Sequence, residues 1–177
     1  MSKKATSTSM TPVSGDGTIA LPSTPVTPAP STTPMVAKKP TYRFFNTLTG
    51  EHFYTSSEAE RNELMKDSRW NNEGQAWTAP ETSEYIIYRD YNPNSGEHHF
   101  TMDKNEYETL QTKGWRKEGI GFYSANPSEA NIVPLYRLYN PKAKNAGSHH
   151  YTASVEERDN LVKEGWNYEG VAWYRLK

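Results

Sequence analysis

A block of about 45 residues occurs three times in succession between residues 41 and 177. It opens as Tyr42-Arg43-Phe44-Phe45-Asn46, Tyr88-Arg89-Asp90-Tyr91-Asn92 and Tyr136-Arg137-Leu138-Tyr139-Asn140. A turn-rich stretch then leads to Gly50-Glu51-His52-Phe53-Tyr54-Thr55, Gly96-Glu97-His98-His99-Phe100-Thr101 and Gly147-Ser148-His149-His150-Tyr151-Thr152. Trp70, Trp115 and Trp166 follow a charged segment, and Glu73-Gly74, Glu118-Gly119 and Glu169-Gly170 lie just beyond them. Trp77, Phe122 and Trp173 close the blocks. Self-similarity of this kind decides the organisation of a chain before any single element is assigned.

Each block reads as strand, turn, strand, helix, strand. The aromatic bias of the opening segment and the Asn92-Pro93-Asn94-Ser95-Gly96 turn mark a hairpin. Ser57, Asp103 and Ser154 stand three residues before Glu60, Glu106 and Glu157, the pattern of a capping box at a helix start. Gly114 and Gly165 sit where left-handed C-caps are expected, and Leu64, Leu110 and Leu161 are the expected inward anchors. One block is too small to bury its own apolar face. The three are therefore expected to close into a compact α+β module with pseudo-threefold symmetry. A β-trefoil-like architecture is the alternative, disfavoured because its units carry four strands and no helix.

Residues 1–40 are different. They contain 7 Pro, 6 Ser and 8 Thr and no aromatic residue, whereas residues 41–177 hold all 22 aromatics and all five His. Such a segment cannot bury enough surface to offset its ordering entropy. The expectation is a disordered Pro/Ser/Thr-rich linker over 1–40 and a binding domain over 41–177, with repeats at about 41–84, 85–132 and 133–177. A linker of this kind suggests that the aromatic-rich part is tethered to something else.

The repeats carry 16 Lys and Arg against 20 Asp and Glu, a net charge of −4, which argues against nucleic acid as a partner. Thiol nucleophiles and thiolate metal sites are excluded because the chain has no Cys. No apolar run is long enough to cross a bilayer, and none follows Lys3 and Lys4 as a signal peptide requires. If the protein acts outside the cell, another segment or lysis must release it.

Several recurrent residues suit ligand contact. His52, His98 and His149 occur once per block, and the readings in order are a structural hydrogen-bonding imidazole, a ligand contact and a metal ligand. No second ligand at metal-site spacing accompanies them, so no metal and no cofactor are expected. Arg43, Arg89 and Arg137 recur together with Glu73, Glu118 and Glu169, as structural ion pairs or, with Asn46, Asn92 and Asn140, as planar groups for sugar hydroxyls. The same Arg residues lie two positions before Phe45, Tyr91 and Tyr139, a spacing that permits stacking within one strand. Trp77, Phe122 and Trp173 are either core residues or flat platforms for a pyranose face. Catalytic sites need different groups converging once, and here the conspicuous residues occur three times. Asp90 and Lys142 to Asn145 are the lone departures.

The motifs Tyr-Arg-x-Tyr-Asn, Gly-x-His-His-Tyr-Thr and Gly-Trp-x-x-Glu-Gly-x-x-Trp-Tyr resemble a tandem-repeat family of long-unassigned function. It is found in secreted proteins, and often at the C-terminus of phage endolysins and Gram-positive cell-wall hydrolases. The resemblance covers residues 41–177, with Phe53, Thr78 and an extra residue before Trp70 as departures in the first repeat. It implies a non-catalytic, extracellular module that binds bacterial cell-wall polysaccharide or peptidoglycan and holds a lytic enzyme on its substrate, as a monomer without nucleic-acid or membrane partners. The competing readings are a peptidoglycan or glycan hydrolase with a His-centred site and a protein–protein adhesion module.

Overall fold

Nine strands and three helices form in the order strand, strand, helix, strand, three times over, in a computed structural model that describes residues 36–177. They are β1 (Lys38–Asn46), β2 (His52–Thr55), α1 (Glu58–Leu64) and β3 (Trp70–Pro80); β4 (Ile86–Asn92), β5 (Glu97–Thr101), α2 (Lys104–Thr112) and β6 (Arg116–Tyr123); and β7 (Ile132–Tyr139), β8 (His149–Thr152), α3 (Val155–Lys163) and β9 (Asn167–Leu176). In each repeat the first strand lies between the other two, antiparallel to both.

The strands do not assemble as three equal lobes. One sheet has six strands in the order β2-β1-β3-β9-β7-β8, and the other has three, β5-β4-β6. The first and third repeats share a sheet through a single ladder position, Thr78 opposite Leu176. Strand accounts for 46% of the described residues and helix for 18%, so the architecture is mostly antiparallel β and sandwich-like. The expectation of a balanced α+β, pseudo-threefold module is thereby corrected. The physical reason is helix length: at 7 to 9 residues each helix makes about two turns. Only Tyr107 of α2 is buried in any of them, so the helices cap strand ends and do not form a layer. The trefoil-like alternative fails as well, since each repeat contributes three strands and a helix.

The helix starts follow the sequence closely. Ser57, Asp103 and Ser154 are the N-caps, and their side chains accept from the amides of Glu60, Glu106 and Glu157. The reciprocal half of the capping box is absent, because the N-cap amides donate to Thr55, Thr101 and Thr152 Oγ1, each at 3.0 Å. The three Glu side chains are left for other partners. At the far ends of α2 and α3, Trp115 N donates to the Leu110 carbonyl and Trp166 N to that of Leu161, past Gly114 and Gly165 with positive φ.

β1 begins at Lys38, so residues 38–40 belong to the fold and pair with Thr78, Ala79 and Pro80. Pro40 is tolerated there because β2 reaches only as far as Tyr42, which leaves that side of β1 unpaired. The remainder of the expected linker, residues 1–35, lies outside the described residues. Among the described residues no helix is long and apolar enough to cross a membrane.

The core is aromatic and draws on all three repeats. Tyr54, Phe100 and Tyr151 meet with ring centroids 5.6–6.1 Å apart. Trp77, Phe122 and Trp173 form a second trio at 5.6–6.0 Å. Each ring of one trio stacks on its neighbour in the other at 4.6–5.4 Å. All six are at most 4% exposed. Trp77, Phe122 and Trp173 are therefore core residues and not exposed sugar platforms. They face inward because Ala79, Ile87, Leu135 and the other trio lie on that side.

Candidate functional site

The Glu-Gly dipeptide of each repeat has a backbone cause. Gly74, Gly119 and Gly170 adopt φ of 85°, 84° and 107°, where L side chains are strained. They lie in β-bulges where the register between first and third strands slips, opposite or next to the repeat's Arg. The bulge turns the preceding Glu toward that Arg. Arg43 Nε meets Glu73 at 2.6 Å, Arg89 Nε meets Glu118 at 2.7 Å, and Arg137 Nε meets Glu169 at 2.8 Å.

A second carboxylate reaches each guanidinium from the helix of another repeat. Arg43 Nη1 donates to Glu157 at 3.2 Å, Arg89 Nη1 to Glu60 at 3.0 Å and Arg137 Nη1 to Glu106 at 2.9 Å. The first repeat thus leans on the third, the second on the first and the third on the second. The Glu residues freed from the capping box make this cycle. They also meet the second His of their own repeat: His99 Nε2 is 3.2 Å from Glu106 and His150 Nε2 is 3.1 Å from Glu157. In the first repeat Phe53 takes that place, and Arg89 lies over its ring at 5.3 Å. The expected stacking of Arg43 on Phe45, and its equivalents, is replaced by contacts across repeats, and Tyr91 is covered by Arg116.

The first His of each repeat sits where repeats meet. His98 packs edge-on against Phe53, His149 against His99 and His52 against His150, with centroids 4.5–4.6 Å apart. Their Nε2 atoms lie 3.6–3.8 Å from Glu118, Glu169 and Glu73. Two buried carboxylates complete the environment. Glu51 accepts from His98 N and lies 2.7 Å from its Nδ1, and Glu97 accepts from Ser148 N and His149 N. Ser148 occupies the corresponding position in the third repeat, so no such carboxylate reaches His52.

The electrostatics follow from these contacts. The close approach of His150 Nε2, with help from Thr152 and Arg43, overcomes burial and holds Glu157 at about 2. Burial opposes ionisation of Glu106, but His99, Thr101 and Arg137 outweigh it and hold its carboxyl far below the ordinary range. His52 is pushed down to about 3 by burial, with His150 and Arg43 adding to the effect, and it is neutral at physiological pH.

Asn46, Asn92 and Asn140 stand at the turns that follow the first strand of each repeat. Their Oδ1 atoms accept amides of their own turns, from Leu48 and Thr49, from Asn94 and Ser95, and from Lys142. Asx turns satisfy Oδ1 locally, which leaves the Nδ2 amides for the sugar contact expected at these positions.

The junctions between repeats open into clefts. Between the first and third repeats a cleft of about 400 Å³ is lined by Arg43, Glu73, Gln75, Ser154, Glu157 and Arg175, with Trp77 and Tyr151 among its walls. The equivalent junction of the second and first repeats holds a cleft of about 260 Å³ along Ile120–Tyr123, Ser56 and Ser57. In the remaining junction Met102 stands where the others have Ser56 and Ala153, and it packs against the core. Sequence reasoning picked out Arg43 and Glu73 as candidate contacts and Glu157 only as a capping residue, and it missed Gln75 and Arg175, which do not recur and leave no signal in the repeat. Among the described residues no group of three or more His, Asp or Glu is placed to hold a metal ion.

These features define a mostly-β repeat protein whose units are joined by a cycle of ion pairs bordering open polar clefts. The chain belongs to the family described as a domain of unknown function, DUF5648, which matches residues 40–176. No curated protein and no solved structure matches it.

Proposed function

We propose that residues 36–177 form a non-catalytic module that binds bacterial cell-wall polysaccharide or peptidoglycan outside the cell and holds a tethered lytic enzyme on its substrate. The observation that carries this reading is the cleft at Arg43. Planar hydrogen-bonding groups crowd its rim, and Arg43 holds both Glu73 and Glu157 before any ligand arrives. Groups fixed in advance lose little entropy on binding, and amides, guanidinium and carboxylates together suit the hydroxyls of a glycan. The related cleft at Ile120–Tyr123 offers a second contact on one chain. Linking weak sites on a repetitive polymer raises avidity by a factor on the order of 10² to 10⁴.

The hydrolase alternative asks for a carboxyl kept protonated near neutral pH to act as general acid. In the Arg43 cleft Glu157 is displaced in the opposite direction, to about 2, and Asp90, whose carboxyl is pushed up to about 6, is fully buried and does not line that cleft. The test is sedimentation of the full chain with purified walls from a panel of Gram-positive bacteria. Retention on at least one wall type, without loss of wall turbidity, is expected. Absence of retention on every wall overturns the reading, and turbidity loss by the chain alone favours the hydrolase.

A further inference from the structure

The junction of the third and first repeats differs from the other two in three ways. The turn from Asn140 to Gly147 spans seven positions, against four from Asn46 to Gly50 and from Asn92 to Gly96. Ser148 replaces the buried carboxylate that Glu51 and Glu97 supply elsewhere. Gly147 also presses on the first repeat: a Cβ there would stand 2.3 Å from the Gly50 carbonyl oxygen, and its φ is +86°. The longer turn borders an open cleft of about 420 Å³.

The lining of that cleft is specific in its chemistry. Phe45, His52 and Trp166 bring aromatic rings, Asn140 and Asn145 bring amides, and Lys144 brings the one charge. No acidic side chain lines it, although the repeats as a whole carry a net charge of −4. Lys142 adds a second cation close by, its Nζ reaching within 3.2 Å of where a Cβ of Gly165 would stand, next to Trp166. Among the described residues His52 Nδ1 has no hydrogen-bond partner, in contrast to His98 with Glu51. On its other side His52 is 3.7 Å from Glu73, which lines the Arg43 cleft, so one His–Glu pair separates the two openings.

We propose that this cleft is a subsite for an anionic sugar unit, with an aromatic ring against the pyranose face, Lys144 on the acid group and His52 and Asn145 on its hydroxyl or amide substituents. Aromatic rings with amides suit a sugar, and Lys144, the one cation in the lining and with no carboxylate beside it there, selects a charged one over a neutral one. A neutral imidazole both accepts and donates, which suits hydroxyls. The proposal rests on the cell-wall reading and sharpens it: the chain has one acid-selective subsite beside the Arg43 cleft, not three equivalent ones.

The acid group on wall glycans is either a carboxylate or a phosphate, and two matched pairs of probes separate them. The full chain is titrated with N-acetylmuramic acid against N-acetylglucosamine, and with glucose 6-phosphate against glucose, following the Trp166 indole resonance by NMR. At least one anionic member is expected to bind about 5-fold or more tightly than its neutral match, with the preferred pair identifying the acid. Lys144→Gln is expected to abolish that preference while leaving the neutral sugar unchanged. Lys113→Gln, a substitution of an exposed residue in the second repeat, is expected to have no effect. Equal binding within both pairs, a preference that survives Lys144→Gln, or a stationary Trp166 signal overturns the subsite. Retention on walls combined with any of those results removes the subsite alone, whereas failure of retention removes the cell-wall reading.

Discussion

Asp90 occupies a position held by Phe44 and Leu138 in the other repeats, and all three side chains are fully buried. One of its oxygens accepts from Gln111, and the other, Oδ2, has no partner among the described residues. Burial pushes its carboxyl up to about 6, against the opposing pull of Gln111 and Lys117. A raised folded-state pKa means that the native state holds the proton more tightly than the unfolded chain. The favourable contribution is complete below about pH 4 and is lost as pH rises through about 6. Glu157 behaves oppositely: its contribution is present above the ordinary carboxylate range and is lost as pH falls toward 2. The two windows overlap only narrowly, between the ordinary values of 3.8 for Asp and 4.5 for Glu. Asp90→Asn keeps the contact with Gln111 and removes the ionisation. It is expected to raise stability at pH 7.5 by about 1–3 kcal/mol and to leave it nearly unchanged at pH 4. Urea unfolding at the two values decides; a gain equal at both would mean that charge is not the cause.

At the scale of elements, the three short helices act as brackets between repeats. Sequence spacing identified their N-caps because that hydrogen bond is local, formed within three residues. It assigned the Glu at the third position to the same local box, and that was incorrect, because Thr55, Thr101 and Thr152 already satisfy the cap amides. The pairing of Arg with the repeat's own Glu was legible from their recurrence. The second carboxylate on each Arg was not, because it depends on which repeat lies alongside. Likewise, alternation in β3, β6 and β9 shows that Trp77, Phe122 and Trp173 share one face of their strands, but not which face is covered. Gln can serve a capping box as Glu does, so Glu→Gln separates the two roles. Glu106→Gln and Glu157→Gln are each expected to cost about 1–3 kcal/mol, leaving a buried His and a half-neutralised Arg behind. Glu60→Gln is expected to cost less, because Phe53 makes no demand on it. Far-UV dichroism of all three should match the parent. Equal, small losses in guanidinium melts would return these residues to a purely local role.

Over the whole molecule, the cycle of contacts distinguishes this chain from an open repeat array. In an array each unit touches only its neighbours, stability is close to a sum over repeats, and an end unit can be removed without unfolding the rest. Here the third repeat also holds the first. Glu157 reaches Arg43, the Tyr54 hydroxyl donates to the Tyr151 carbonyl, and Thr78 pairs with Leu176. Tyr151 in turn donates to the Phe100 carbonyl and so ties in the second repeat. A fragment of residues 36–131 loses Tyr151 and Trp173, one ring from each aromatic trio, and exposes the faces of Tyr54, Trp77, Phe100 and Phe122 against which they stack. It also leaves Arg43 with one carboxylate in place of two. Sequence repetition alone does not distinguish this closed arrangement from an open one, because the closing contacts join residues about 100 positions apart. The fragment is therefore expected to show no cooperative thermal transition and no near-ultraviolet dichroism. Residues 36–177 are expected to unfold in one transition whose calorimetric and van't Hoff enthalpies agree. A cooperative transition in the shorter fragment would show that two repeats suffice, and that the third is added to a fold already complete.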